Sequence, residues 1–393
     1  MRSNYKRIGD CIRQIKVKNT KGKYDLLLGI NIDKYFMPSV ANIVGTDLTR
    51  YKVVKKNQFA CNRMHVGRDY RIPMALSNKE NPFIVSPAYT VFEIIEECDL
   101  LPEYLMMWFS RAEFDRETWF HTDADVRGGL PWDLFCDTEL PIPSIEKQLE
   151  IVNEYNTITN RISLNAQLNQ KLEETAQALY KHWFVDFEFP NEEGEPFKSS
   201  GGAMVYDEEL DKEIPEGWTD GTLENLYKFQ YGLGNKNPDN NGKYPIYGAG
   251  GVIGGYDKFN SEDAPVIGHM GAYCGKVVFA FGKHYVTYNG VICFVKEDSH
   301  KWFSYLSLLS KDLMSNTRGS SQPFVSYDML YEVETILPAK RVIQTFDNLI
   351  SQLFEQIKLG LKGNRNLTDL KDLLLSKMTK VEVEKEKQHS YEI

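Results

Sequence analysis

The sequence has no run of eighteen apolar residues, no secretory apolar core behind Met1-Arg2-Ser3-Asn4-Tyr5-Lys6, and no C-x-x-C pair among its six cysteines. The first lack argues against a membrane-spanning helix and the second against export. The third argues against a zinc ribbon or a secreted disulfide framework. The expectation is a cytoplasmic chain that keeps Cys11, Cys61, Cys98, Cys136, Cys274 and Cys293 as reduced, mostly buried thiols.

Catalytic signatures are missing too. No G-x-x-x-x-G-K-[ST] phosphate loop occurs, which argues against a P-loop ATPase in this chain. Asn81-Pro82-Phe83 lacks the second proline of an adenine-methylating turn. Gly248-Ala249-Gly250-Gly251 misses the G-x-G-x-x-G spacing of a nucleotide cradle and reads as a hairpin turn. Pro238-Asp239 leads into turn sequence, not into a strand carrying a magnesium-binding carboxylate set. His65, His269 and His284 do not fall at metal-ligand spacing. No catalytic residue and no metal site is expected.

The chain does hold 393 residues, 42% apolar and 26% charged, enough for two or three folded domains. Its net charge of −9 hides a segregation. Residues 1–79 carry 17 Lys and Arg against 5 Asp and Glu, while residues 80–140 carry 3 against 14. Phosphate attraction acts over roughly a Debye length of 8–10 Å, so a basic face is compatible with an acidic total.

An internal repeat organises the rest. At an offset of 195 residues, Pro131-Trp132-Asp133-Leu134 matches Ser326-Tyr327-Asp328-Met329, Ile142-Pro143 matches Leu337-Pro338, and Asn169, Leu172 and Leu179 fall on Asn364, Leu367 and Leu374. Each half ends as a strand, a proline and a long amphipathic helix. The first helix is expected over Ser144–Trp183, with apolar positions including Leu149, Val152, Ile162, Leu168, Leu172, Leu179 and Trp183. The second is expected over Ala339–Met378, with Ile343, Phe346, Ile350, Leu353, Ile357 and Leu367 at coiled-coil steps of three and four.

Forty helical residues span about 60 Å, more than one domain covers. The expected fold is therefore α+β: two strand-rich heads held apart by a long antiparallel two-helix coiled coil, with a pseudo-two-fold internal repeat. The boundaries are a first head over 1–143, a helix over 144–189, an acidic linker over 190–213, a second head over 214–337, a second helix over 338–380, and a charged tail over 381–393.

Several phrases give the chain a family likeness. Asn169-Gln170-Lys171-Leu172-Glu173-Glu174, running on to Trp183-Phe184-Val185-Asp186-Phe187, resembles the central helix of the specificity subunits of Type I restriction-modification systems. Leu140-Pro141-Ile142-Pro143, Ile214-Pro215-Glu216-Gly217-Trp218 and Tyr244-Pro245-Ile246-Tyr247-Gly248 are similar to the flanks and strand-turn of the family's target-recognition domains. Two departures stand out: Gly268-His269-Met270-Gly271 where many members carry Gly-Arg-Lys-Gly, and a shortened exit at Ile336-Leu337-Pro338-Ala339-Lys340.

The resemblance implies two target-recognition domains that each read half of a split site on double-stranded DNA. The helices would set the spacing and dock two methyltransferase subunits, with restriction and translocase subunits joining the assembly. It implies no cofactor in this chain; S-adenosylmethionine, ATP and Mg2+ belong to the partners. The competing readings are a coiled-coil adaptor that does not read DNA, and a methyltransferase or nuclease fused to a specificity module.

Side-chain chemistry nominates DNA contacts, since Arg reads guanine, Asn and Gln read adenine, and Lys and Tyr favour phosphate. In the first head these are Arg63, His65, Arg68, Arg71 and Arg127; in the second, Asn235, Lys236, His269, Tyr273, Lys276, Arg318 and Gln322.

Overall fold

The structure is a computed structural model that describes residues 5–40, 45–64, 66–122, 128–234, 242–314 and 323–379. The chain forms two compact units. The first comprises residues 1–164 and 364–393, the second residues 165–363.

Two long helices dominate the secondary structure, Ile145–Tyr180 and Lys340–Lys377. Ser144 stands before the first, its hydroxyl accepting from the Lys147 amide at 3.4 Å, and a π-helical turn, Lys181–Val185, ends it. Within the first unit the helical segments run antiparallel: Asn364 lies against Ile162, while Leu375 and Met378 share a core with Ile151 and Val152. Within the second unit they do the same, with Asn169 against Ile357 and Phe346 against Trp183 at 5.3 Å.

The repeat is visible in single hydrogen bonds. The Asn169 side-chain amide donates to the Ile357 carbonyl in the second unit, and Asn364 donates to the Ile162 carbonyl in the first. Donors and acceptors are each displaced by the repeat offset. Gly360 is needed where the segments meet, because a Cβ there would stand 2.4 Å from Asn169 Oδ1.

Of the seam positions, Trp183, Phe346 and Ile357 are buried, and Leu172, Leu179, Leu353 and Leu367 are half-buried. Leu149 and Leu168, read as apolar seam positions, are instead exposed.

Each unit holds an antiparallel sheet of the same order. In the first unit it runs Ile12–Ile15, Thr90–Ile94, Phe59–Cys61, Met74–Leu76. In the second it runs Tyr227–Tyr231, Gly290–Val295, Ser261–Gly268, Val277–Val286, then continues through Tyr244–Gly248, joined in parallel, to Gly251–Tyr256. Two-stranded pairs flank these sheets equivalently, Tyr5–Arg7 with Glu139–Pro141 and Thr219–Thr222 with Glu334–Leu337. The helices Pro102–Phe109 and Lys301–Leu309 follow the sheet strands in sequence and contribute to the two main cores. The edge strand Tyr227–Tyr231 does not leave its outer N–H groups open, since Phe229 and Tyr231 donate to the hydroxyls of Tyr331 and Tyr327.

Two expectations need correction. Cys11 and Cys98 are disulfide-bonded, not reduced. Cys11 precedes the strand Ile12–Ile15 and Cys98 follows its partner Thr90–Ile94, so the antiparallel pairing brings residues 87 apart in sequence together. The other four cysteines are free, and Cys61, Cys274 and Cys293 are buried.

The acidic stretch read as a linker is also folded. Phe189 stacks on Phe197 at 4.5 Å and on Trp218 at 5.0 Å, and Met204–Asp207 pairs with Lys212–Pro215 as a hairpin. Its charges misled because acidic side chains on the outside of a hairpin look, in composition, like a solvated tether.

Candidate nucleic-acid interface

In the second unit, the turn joining Ser261–Gly268 to Val277–Val286 carries three of the nominated residues. The turn is closed by Gly268 N–H to the Lys276 carbonyl at 2.8 Å and Gly275 N–H to the Gly268 carbonyl at 2.9 Å. Gly268 has no room for a side chain, as a Cβ would lie 2.0 Å from the Tyr273 carbonyl oxygen.

Tyr273 is 57% exposed and rests against Gly250, whose missing side chain makes the approach possible: a Cβ there would meet the ring at 2.8 Å. Lys276 donates to the Gly250 carbonyl at 3.0 Å and lies 5.3 Å from the Tyr273 ring centroid. The Gly248-Ala249-Gly250-Gly251 run is thus the turn of an antiparallel hairpin, with Gly248 opposite Gly251. Together these residues make a stiff exposed platform of one aromatic face and one cation, chemistry suited to a sugar-phosphate backbone.

His269 has a different position. Its Nδ1–H donates to the Val325 carbonyl at 2.7 Å, its own carbonyl accepts from Val325 N–H at 3.0 Å, and its ring packs on Tyr231 at 4.6 Å. It fastens Pro323–Val325 to the sheet.

Arg63 does the matching job in the first unit. Its guanidinium donates to the Leu130 carbonyl and, through Nε at 3.1 Å, to Thr90 Oγ1. Its carbonyl accepts from Leu130 N–H at 2.9 Å, and the cation lies over Trp132 at 5.6 Å. Leu130 and Val325, like Trp132 and Tyr327, are one repeat apart.

The other two nominated arginines among the described residues meet carboxylates. Arg68 pairs with the half-buried Asp69 at 2.6 Å, and Arg71 with Asp33 at 3.3 Å on the surface. His65, Arg127, Asn235, Lys236, Arg318 and Gln322 lie outside the described residues. The structure therefore brings His269, Tyr273 and Lys276 to one turn and leaves Arg63, Arg68 and Arg71 engaged separately.

Arg71 also lines a cavity of about 720 Å³ with Tyr70, Arg111, Arg116, Tyr155 and Lys371. Beside it Lys34 is bound to Asp115 at 2.7 Å, and burial lowers the Lys34 pKa against the pull of that carboxylate. Arg111, Arg116 and Lys34 all have acidic neighbours, so the cavity is close to neutral.

Sequence reasoning passed over Lys16, Lys18, Lys21 and Lys23, although they belong to the basic segment it identified. All four are exposed, and none has a carboxylate partner among the described residues. No cluster of His, Cys, Asp and Glu among the described residues is arranged to hold a metal ion, and no helix among them is long and apolar enough to cross a membrane.

Residues 215–362 match the family model of the Type I restriction modification DNA specificity domain. The matched residues all fall within the second unit. The likeness to specificity subunits read from its motifs is borne out more widely. The chain is 26% identical over 331 residues to the Type I restriction enzyme MjaIX specificity subunit of Methanocaldococcus jannaschii, covering 76% of this chain and 72% of that protein. It is 27% identical over 190 residues to the HindI specificity subunit of Haemophilus influenzae, covering 46% of this chain and 40% of that one.

The fold is similar to the S subunit of a Type I restriction-modification system from M. genitalium, with a TM-score of 0.52, 18% identity and 95% of both chains covered. The first unit, outside the matched residues, repeats the central strand order of the second.

Proposed function

We propose that this chain recognises a bipartite DNA sequence as the specificity subunit of a Type I restriction-modification assembly, each unit reading one half-site. One observation carries the proposal: the unit that matches the DNA specificity domain and the unit that does not are built on the same four-strand antiparallel order. Two readers of one architecture in a single chain suit a target split into two short segments.

On this reading the chain performs no chemistry. N6-adenine methylation with S-adenosylmethionine, and cleavage with ATP and Mg2+, fall to methyltransferase and restriction subunits acting on cytoplasmic DNA. Exposed leucines support the docking of such partners: Leu149, Leu164, Leu370 and Leu373 on the helical segments of the first unit, and Leu168, Leu349, Leu359 and Leu361 on those of the second. Apolar side chains left in water on regular helices are what a partner surface would cover.

Methylome sequencing tests the proposal. A methyl-free host expressing this chain with its co-encoded methyltransferase is expected to show a split motif, with one modified adenine on each strand, absent when the methyltransferase is expressed alone. No new motif from a soluble, assembled complex would overturn it.

A further inference from the structure

Four exposed lysines of the first unit fall within one loop. Residues 16–24 run alongside the strand Lys52–Val54, with Val53 N–H donating to the Val17 carbonyl and Asn19 N–H to the Tyr51 carbonyl, both at 2.9 Å. Lys18 and Lys52 are direct cross-strand partners.

The turn beyond is held from inside by Asn19, which is 3% exposed. Its side chain donates to the Tyr24 carbonyl at 2.7 Å and accepts from the Tyr24 amide at 3.1 Å. Gly22, at φ +59°, closes it by donating to the Asn19 carbonyl. A buried asparagine thus fixes a loop whose outward residues are Lys16, Lys18, Lys21 and Lys23.

Like charges set opposite one another across a strand pair destabilise it. Nearby carboxylates do little to relieve these: Asp25, just beyond Tyr24, makes no ion pair with them among the described residues, and Asp47 is held by Arg50 and Thr49. Lys52 registers the crowding. Its ammonium is pushed below the usual lysine range, first by burial and then by Arg63, Lys16 and Lys18, with the Cys61 thiol opposing them. A fixed loop of uncompensated cations presents a standing positive potential.

We infer that Lys16, Lys18, Lys21 and Lys23 form the contact of the first unit with the DNA sugar-phosphate backbone, and that Arg68 and Arg71 take no part in it. This rests on the DNA-reading function proposed above. A lysine is a mobile point charge without the bidentate fork that reads guanine, so the loop supplies affinity and orientation but not sequence choice. Arg68 and Arg71 are already neutralised by Asp69 and Asp33 and release few counterions on binding.

The test uses the chain assembled with its methyltransferase, titrated by fluorescence anisotropy against a duplex bearing the methylated motif and a scrambled duplex, over a range of KCl concentrations. The variant Lys16→Ala/Lys18→Ala/Lys21→Ala/Lys23→Ala is expected to flatten the slope of log K against log salt by about 0.9 for each phosphate that the protein no longer neutralises. It should weaken both duplexes by the same factor and leave the methylated motif unchanged.

Arg68→Ala/Arg71→Ala should keep the wild-type slope, and replacing the four lysines by arginine should restore it. An unchanged slope in the alanine variant, a flattened slope in the Arg68→Ala/Arg71→Ala variant, or an altered motif would each overturn the inference. If the wild-type assembly shows no salt-dependent duplex binding at all, the proposed function fails and takes the inference with it.

Discussion

The two units perform the same structural tasks with different residues. Where the helix Pro102–Phe109 begins, Gln148 accepts from the Leu101 amide at 2.8 Å and donates to the Asp99 and Pro143 carbonyls. Where Lys301–Leu309 begins, Asp347 accepts from the amides of Trp302 and Phe303, both at 2.8 Å. The repeat would put Ile343 in the place of Gln148; the second unit moves the cap one helical turn along and changes a neutral amide into a carboxyl. A duplicated fold preserves the need to satisfy the free N–H groups at a helix start, while leaving open which side chain does so.

The core where the helical segments meet offers the largest contrast. Phe346 is fully buried against Tyr180, Trp183 and Phe184, with ring centroids at 6.3, 5.3 and 4.8 Å. One repeat earlier the same position is Ile151, packed with Leu375 and Met378. Phe346→Ala is expected to destabilise the second unit by about 3–5 kcal/mol, near the top of the range for core truncations. Ile151→Ala removes a smaller side chain and leaves a smaller cavity, so its cost in the first unit should be lower, though still above about 2 kcal/mol. Hydrogen exchange resolved by mass spectrometry separates the units. A greater drop in protection from Ile151→Ala would break the idea that the aromatic set makes the second junction the stiffer one.

The caps differ in how they answer pH. Burial pushes the Asp347 carboxyl up to about 7, although both amide donors favour its charged form. The folded chain therefore binds more protons than the unfolded chain between about pH 4 and 7. The contribution of Asp347 to stability declines as pH rises through that window, by at most about 1.4 kcal/mol per pH unit. Asp347→Asn removes the titration, so the stability of the wild type relative to this variant should fall on going from pH 4 to pH 7. Gln148→Ala should cost about 1–3 kcal/mol for the unsatisfied amide, with no dependence on pH in that range. A flat difference between wild type and Asp347→Asn would show that the carboxyl stays ionised throughout.

Much of this was legible in the sequence, and the parts that were not share a cause. The helices declare themselves by steps of three and four and by the prolines before them, and their observed spans, Ile145–Tyr180 and Lys340–Lys377, fall close to the expected ones. The repeat was legible because Asn169 and Asn364 are identical and equally spaced from the prolines.

The equivalence of Arg63 and His269 was not legible. Those positions are not one repeat offset apart and differ in chemistry; their place after the third strand of each sheet and their bonds to Leu130 and Val325 identify them. The disulfide escaped for the same reason, since strand pairing, not spacing, joins Cys11 to Cys98. Charge pointed to the basic segment of the first unit but favoured its arginines: Asp69 stands beside Arg68 in the sequence, whereas Asp33 meets Arg71 only once the chain is folded.

That hidden equivalence yields the smallest effects and a sharp distinction. If Arg63 and His269 are fasteners and not base readers, Arg63→Lys and His269→Ala should each cost about 1 kcal/mol, the worth of one hydrogen bond. Exchange should rise first at Leu130 in the one case and at Val325 in the other. Lysine keeps the charge at 63 but cannot donate to the Leu130 carbonyl and Thr90 Oγ1 in the fixed geometry of a guanidinium, so charge alone should not rescue the interaction. Both variants should leave the methylated motif intact while slowing methylation, because a loosened segment samples the binding geometry less often. A changed base preference in either half-site would reassign that residue from holding the reading surface to being part of it.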